Sequence, residues 1–288
     1  MINILVTGSN GQLGSALQVL AKQYTQYQFY FTDVAELDIT DKSAIAVFVS
    51  ANSIYAIVNC AAYTAVDKAE SDLELADKIN HLAVKYLAEV AKEHQCKLIH
   101  ISTDYVFDGT HHIPYLENDV PNPQSVYGKT KLAGEQVLQE INPSNSIIIR
   151  TSWIYSSFGA NFVKTMLKLG KERDELRVIT DQVGTPTYAA DLAQTILTIL
   201  PHLSNEKVEV YHYTNEGVCS WYDFAQAIFE ISKIDCKVIP ITTAQYPTAA
   251  QRPHYSVLNK TQLKEKFKIE IPYWRDSLRN CLKKMSIR

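Results

Sequence analysis

Tyr127 and Lys131 stand four residues apart in Ser125-Val126-Tyr127-Gly128-Lys129-Thr130-Lys131. On a helix over residues 125–140 that step puts the phenol and the ammonium on one face, one turn apart. A phenol with an ordinary pKa of about 10 is a poor proton-transfer group near neutral pH. A fixed positive charge beside it lowers that pKa toward the useful range. Tyr and Lys are common on helix faces, so the pair by itself carries little weight. Chain order supplies the weight: a glycine-rich start comes first, then Ser102-Thr103, then the pair. That succession points to a nicotinamide-dependent enzyme.

The chain opens Ile4-Leu5-Val6-Thr7-Gly8-Ser9-Asn10-Gly11-Gln12-Leu13-Gly14. A strand that runs through Gly-x-x-Gly-x-x-Gly into a helix has the context of a dinucleotide fingerprint. Gly8, Asn10, Gly11, Gln12, Leu13 and Gly14 are the residues expected at the cofactor turn, with the phosphates at the helix N-terminus. Asp33 follows the second strand about 20 residues further on, where an acid hydrogen-bonds the adenosine ribose and repels a 2′-phosphate. NADH is therefore favoured modestly, with NADPH the other candidate. Asp38 and Ile39 are expected beside the adenine, a solvated loop carboxylate being the competing reading of Asp38. Asn59-Cys60-Ala61-Ala62-Tyr63 ends the third strand, and the small residues there allow cofactor contacts at Ala61, Ala62 and Tyr63.

At the reacting end, Ile99-His100-Ile101-Ser102-Thr103 brings hydroxyls to the carboxyl edge of the fourth strand. Thr103 can hydrogen-bond a carbonyl oxygen as negative charge develops on it. His100 reads as a satisfied core histidine. Trp153 offers an indole to a ring-shaped substrate, core packing being an equal reading. Arg252, in Arg252-Pro253-His254, offers a planar cation suited to phosphate or, alternatively, a solvated loop charge.

These residues need a scaffold, and 288 residues suffice for one large α/β domain with a second lobe. Short apolar runs at Ile2–Val6, Phe29–Thr32, Ala56–Asn59, Leu98–Ser102 and Ile147–Thr151 alternate with helix-period segments at 12–23, 42–51, 72–94 and 126–140. That pattern predicts a doubly wound parallel sheet of Rossmann type, with a smaller C-terminal substrate-binding lobe. Beyond Trp153 the alternation loosens, with helices expected at 161–171, 189–200 and 220–232 and a strand at 208–213. Residues 1–154 and about 188–214 are assigned to the dinucleotide-binding domain, and about 155–187 and 215–288 to the substrate lobe.

Composition narrows the class. Apolar residues make up 46%, charged residues 20%, and the net charge is −3. Nothing in that balance marks nucleic acid or an anionic membrane as a partner. Five cysteines, odd in number and without ligand spacing, read as reduced thiols in a cytoplasmic protein. The start shows no export signal, and no apolar run is long enough to span a membrane.

With these residues in place, the chain resembles the extended short-chain dehydrogenases/reductases, and within them the dTDP-4-dehydrorhamnose reductase family. The resemblance runs through Gly8–Gly14, Thr64-Ala65-Val66-Asp67-Lys68-Ala69-Glu70, Ser102-Thr103-Asp104-Tyr105-Val106-Phe107, Tyr127–Glu135, Thr151–Tyr155, Asn161–Leu167, Asp181–Thr187 and Arg252-Pro253. It implies reduction of a 4-keto dTDP-sugar, the last step of dTDP-L-rhamnose synthesis, by NADH or NADPH. It implies catalytic roles for Thr103, Tyr127 and Lys131, and substrate contacts at Thr103, Asp104, Tyr127, Trp153 and Arg252.

The chain departs from the family at Tyr255, where Asn is common, and at Ser15, where some members carry an acid for Mg2+ at a dimer interface. No metal is expected, and the chain is read as a monomer or homodimer. Asp104 is followed by Tyr105, whereas related dehydratases need an acid pair there. An epimerase, another sugar-nucleotide reductase, or a noncatalytic regulatory subunit of the methionine adenosyltransferase type remain the alternatives.

Overall fold

The computed structural model describes residues 1–286. Six short apolar runs form one sheet: β1 (Ile2–Thr7), β2 (Tyr27–Thr32), β3 (Ile54–Asn59), β4 (Lys97–Thr103), β5 (Ser146–Thr151) and β6 (Glu209–His212). All neighbours are parallel, in the spatial order β2-β1-β3-β4-β5-β6. The order reverses between β1 and β3, and the crevice at the carboxyl ends of those strands is where such sheets take ligands.

Five helices enclose it: α1 (Gln12–Ala21), α2 (Lys42–Ala51), α3 (Ala83–Glu93), α4 (Val126–Ile141) and α5 (Ala189–Ile199). Successive strand residues face opposite sides. Ile4, Val6, Ile147 and Ile149 pack with α1 and α5, while Leu5, Ile57, Leu98 and Ile148 pack with α2, α3 and Leu138 of α4. Burial on both faces is why the inner strands β1, β3, β4 and β5 read as continuous apolar runs.

The run expected as one helix over 72–94 is interrupted. Leu73–Asp77 passes through a π-helical turn, Lys78–Leu82, before α3 begins. That wider turn carries Asn80, whose side chain accepts from Tyr63 N and donates to Tyr63 O and Thr130 Oγ1. Those bonds tie the loop after β3 to α4.

A second core gathers Tyr155, Val163, Leu176, Phe224, Ile228, Trp274 and Leu278. It is built from helices Phe162–Glu172, Trp221–Ser232 and Trp274–Ser286, with strands Glu175–Ile179 and Lys237–Ile241 paired in parallel. That strand pair and the helices Thr261–Phe267 and Trp274–Ser286 have no counterpart in the sequence-based expectation. Leu263, Phe267, Ile269 and Ile271 pack against the core of the large sheet, although the expected partition puts them in the smaller lobe. No helix among the described residues is long and apolar enough to cross a membrane.

Candidate active site

At the end of β1 the chain turns through Gly8, at φ +65, a backbone conformation that L side chains rarely adopt. A Cβ at Gly8 would lie 2.6 Å from Ala61 Cα, so the turn abuts the loop leaving β3 across the switch point. Gly11 caps α1 without a side-chain hydrogen bond. The first amides of the helix, at Gln12, Leu13 and Gly14, therefore stay available to an anion, as a pyrophosphate cradle requires. Asp33 lies beside this turn, its carboxylate accepting from Asn10 N at 3.1 Å and Val34 N at 2.8 Å. The backbone and the acid together fit a dinucleotide.

Not every expected cofactor residue presents its side chain there. Gln12 donates to Ile154 O at 3.2 Å and accepts from Ser156 Oγ and Asn161 Nδ2. Its amide group thus braces the crevice against the second half of the chain. Asp38 is exposed and closes its own turn on Thr40 N and Oγ1, and those bonds hold its carboxyl below the usual range. Ile39 belongs to the core with α2. The Tyr63 phenol donates to Asp72 at 3.0 Å.

The reacting residues converge on α4. Ser125 caps that helix by accepting from Gly128 N at 3.1 Å. A Cβ at Gly128 would come within 2.3 Å of Tyr105 O, so only glycine lets α4 lie this close to the turn after β4. Tyr127 and Lys131 consequently share a buried face, 9% and 1% exposed. The Tyr105 and Tyr127 rings meet edge to face, with centroids 5.4 Å apart. Thr103 ends β4, donating to Asp104 Oδ1 at 3.0 Å and accepting from Tyr105 N.

Electrostatics here differ from the expectation. Burial pushes the Tyr127 phenol up to about 12, Thr103's hydroxyl pulling the other way and the Asp104 charge adding to the rise. Lys131 does not offset this, because its Nζ donates to Ile101 O at 2.6 Å and lies 3.4 Å from His100 Nε2. Burial lowers the lysine itself to about 8, against the opposing pull of Glu135. Asp104 is raised to about 7, again by burial, while the hydroxyls of Ser256 and Thr103 act in the opposite sense.

Trp153 holds φ +50, a left-handed conformation uncommon for a bulky residue. Its indole stacks on Trp221 at 3.6 Å between centroids, and Phe162 packs against Trp221 in turn. Arg252 grips Asp67 at two points, 3.0 and 2.6 Å. The Thr64–Glu70 and Arg252-Pro253 segments are thereby joined, and Asp67 also accepts from Ala250 N.

Several residues of this neighbourhood are not singled out by sequence. Glu135 continues the Tyr127/Lys131 face by one more turn, and this i, i+4, i+8 spacing could have revealed it. It is 1% exposed, accepts from Ser102, and is bound by Arg150 through Nε at 3.1 Å and Nη2 at 2.7 Å. Asn80 and Trp221 carry no comparable local signal. Among the described residues, no group of three or more His, Cys, Asp or Glu is placed to hold a metal ion.

Residues 2–287 match the family model described as RmlD substrate binding domain. A dTDP-4-dehydrorhamnose reductase from Aggregatibacter actinomycetemcomitans is 42% identical, the alignment covering 97% of this chain and 98% of that protein. Among solved structures, a dTDP-4-dehydrorhamnose reductase from Clostridium acetobutylicum superposes with a TM-score of 0.94 at 44% identity, over 99% of this chain and 100% of that one. One from Bacillus anthracis, solved in complex with NADP, gives 0.94 at 38% identity over the same shares. The glycine turn that fits a dinucleotide and the group Thr103, Tyr127 and Lys131 thus stand in a chain related to these proteins over its whole length: it belongs to the dTDP-4-dehydrorhamnose reductase family.

Proposed function

We propose that this chain reduces dTDP-4-dehydro-L-rhamnose to dTDP-L-rhamnose, with NADH or NADPH as the reductant. The observation that carries the reading is full-length membership of the reductase family, in a chain that brings Thr103, Tyr127 and Lys131 to the carboxyl side of the sheet. A dinucleotide whose pyrophosphate is held at the Gly8–Gly14 turn would supply the hydride for C4 of the sugar. Tyr127 gives its phenolic proton to the C4 oxygen. Its raised pKa keeps that proton in place until charge develops on the substrate. Thr103 steadies the same oxygen. Lys131, as an ammonium, orients the nicotinamide ribose and favours the tyrosinate left after transfer.

Residues 1–154 and about 188–214 are the proposed dinucleotide-binding part, and most of the remainder the substrate-binding part. Asp104, Trp153 and Arg252 are the proposed sugar-nucleotide contacts, the diphosphate lying toward Arg252. Remote binding energy from the nucleotide aligns the ketone. The protein is proposed to work in the cytoplasm as a monomer or homodimer.

The test is oxidation of NADH and NADPH by the purified chain with freshly generated dTDP-4-dehydro-L-rhamnose, the product identified by mass and NMR. Formation of dTDP-L-rhamnose at a rate dependent on both substrates is expected. A folded chain that oxidises neither cofactor with this sugar overturns the reading.

A further inference from the structure

Behind Lys131 runs a buried polar chain that leads away from the reacting edge toward β1. Ala61 N donates to Asn59 Oδ1 at 3.2 Å, and Thr7 Oγ1 donates to the same oxygen at 2.7 Å. Asn59 Nδ2 faces His100 Nδ1 at 3.0 Å, and His100 Nε2 faces Lys131 Nζ at 3.4 Å. Asn59 and His100 are 1% and 0% exposed, so no solvent intervenes to relax the pattern.

Direction in this chain is fixed at one end. A backbone N–H can only donate, so Asn59 must turn its oxygen to Ala61 and its NH2 to His100. His100 Nδ1 must then accept. Burial and the neighbouring Lys131 charge hold this imidazole well below its usual range, so it is neutral and carries its single proton on Nε2. That N–H points at Lys131 Nζ. An ammonium has no lone pair to receive it, whereas a neutral amine does.

We propose that His100 is a positioning residue for Lys131: it presents an N–H, not a lone pair, to Nζ and so keeps the lysine's proton labile. The other groups facing Lys131 do not do this. Glu135, one turn further along α4, favours the ammonium but is occupied by Arg150 of β5 and Ser102 of β4. Ile101 O accepts from either form of the lysine. Tyr127, one turn earlier, is held as a phenol pushed up to about 12. Burial alone already lowers Lys131 to about 8, and an imidazole N–H facing Nζ acts in the same direction. Below that pH the lysine is the ammonium that the proposed reduction uses, and above it activity declines. The catalytic part of the inference rests on that proposed reaction.

Two NMR readings, neither of which needs turnover, test it. In protein labelled with 15N-histidine, His100 is assigned by its loss in His100→Gln, and its proton is expected on Nε2 with Nδ1 bare. In protein labelled at lysine Cε, Lys131 is expected to titrate near about 8. Asn59→Asp keeps acceptors for Ala61 N and Thr7 but draws the imidazole proton to Nδ1, leaving a lone pair on Nε2 toward Lys131. Its Lys131 midpoint should rise by about one pH unit or more, the scale of one gained hydrogen bond, and the alkaline limb of kcat should follow. A wild-type proton on Nδ1, or an unmoved Lys131 midpoint in folded Asn59→Asp, overturns the proposal. Should Asn59→Asp fail to fold, the wild-type tautomer decides alone. A wild type without turnover overturns the proposed reaction, while the NMR readings still decide the role of His100.

Discussion

The Arg252 guanidinium holds the Asp67 carboxylate by two hydrogen bonds, joining the short helix Val66–Ala69 after β3 to a loop far along the chain. Asp67 is kept below the ordinary carboxylate range chiefly by that contact. Both side chains are partly exposed, 23% and 46%, so the pair contributes little to stability. A phosphate oxygen can compete for the same planar donors.

This arrangement separates two roles for Arg252. If it holds the substrate diphosphate, Arg252→Ala raises KM for the sugar nucleotide on the order of 10- to 150-fold, the scale of losing a charge-assisted contact. Asp67→Ala, which frees the guanidinium, leaves that KM unchanged or lowers it. KM for the dinucleotide moves little in either variant. Equal increases in sugar-nucleotide KM for both variants would make the pair a brace between loops, with the diphosphate bound elsewhere.

For Tyr127→Phe, turnover should fall at least about 100-fold, the lower scale for losing a general acid. Cofactor binding and the melting temperature should stay close to wild type, because the ring still meets Tyr105 edge to face. Titration of NADH or NADPH fluorescence, set beside steady-state kinetics, reads both properties. Near-normal turnover in the folded variant sinks the assignment of the proton donor.

The first half of the chain was readable because its central strands β1, β3 and β4 are buried on both faces, and α2 and α4 begin at side-chain caps. Asp41 caps α2 through Ser43 N and Ala44 N, and α2 spans the expected 42–51. The π turn at Lys78–Leu82 was not readable, since one added residue in a turn barely disturbs an apolar stripe. The pair Glu175–Ile179 and Lys237–Ile241 escaped for a different reason. Its strands are short, and Pro240 counts against a strand on local grounds.

Site chemistry divides the same way. Tyr127, Lys131 and the glycine turn follow spacings within one helix or one turn, so sequence places them. Lys131's bond to Ile101 O and the Trp153–Trp221 stack arise only from tertiary packing. The expected lowering of the Tyr127 pKa failed on that account: spacing put the ammonium on the right face, but burial and a backbone carbonyl governed the energetics.

Asp33→Ala should reduce the kcat/KM ratio for NADH over NADPH. The substitution removes a ribose acceptor and a negative charge facing any 2′-phosphate. It also removes the bond to Asn10 N, so the glycine turn loosens and affinity for both cofactors drops. The ratio isolates the first effect from the second. An unchanged ratio would place Asp33 outside the adenosine pocket, as a brace for the turn alone.

The last expectation concerns Asp104, which is 2% exposed between the Thr103 and Ser256 hydroxyls. An unfolded aspartate titrates at about 3.9, whereas burial raises this one to about 7. Between those values the folded state retains a proton that the unfolded chain has released. Stability therefore falls as pH rises through that window, and the penalty is complete above about 7. Asp104→Asn cannot ionise and still offers Thr103 an acceptor, so it escapes the penalty. Its melting temperature should exceed that of wild type near pH 8, by roughly 2–4 °C for each kcal/mol relieved. Near pH 4, where both chains are neutral at this position, the gap should close. A difference in melting temperature that stays constant from about pH 4 to 8 would show that Asp104 does not titrate in this range, and that its carboxylate is stabilised by the two hydroxyls despite its burial.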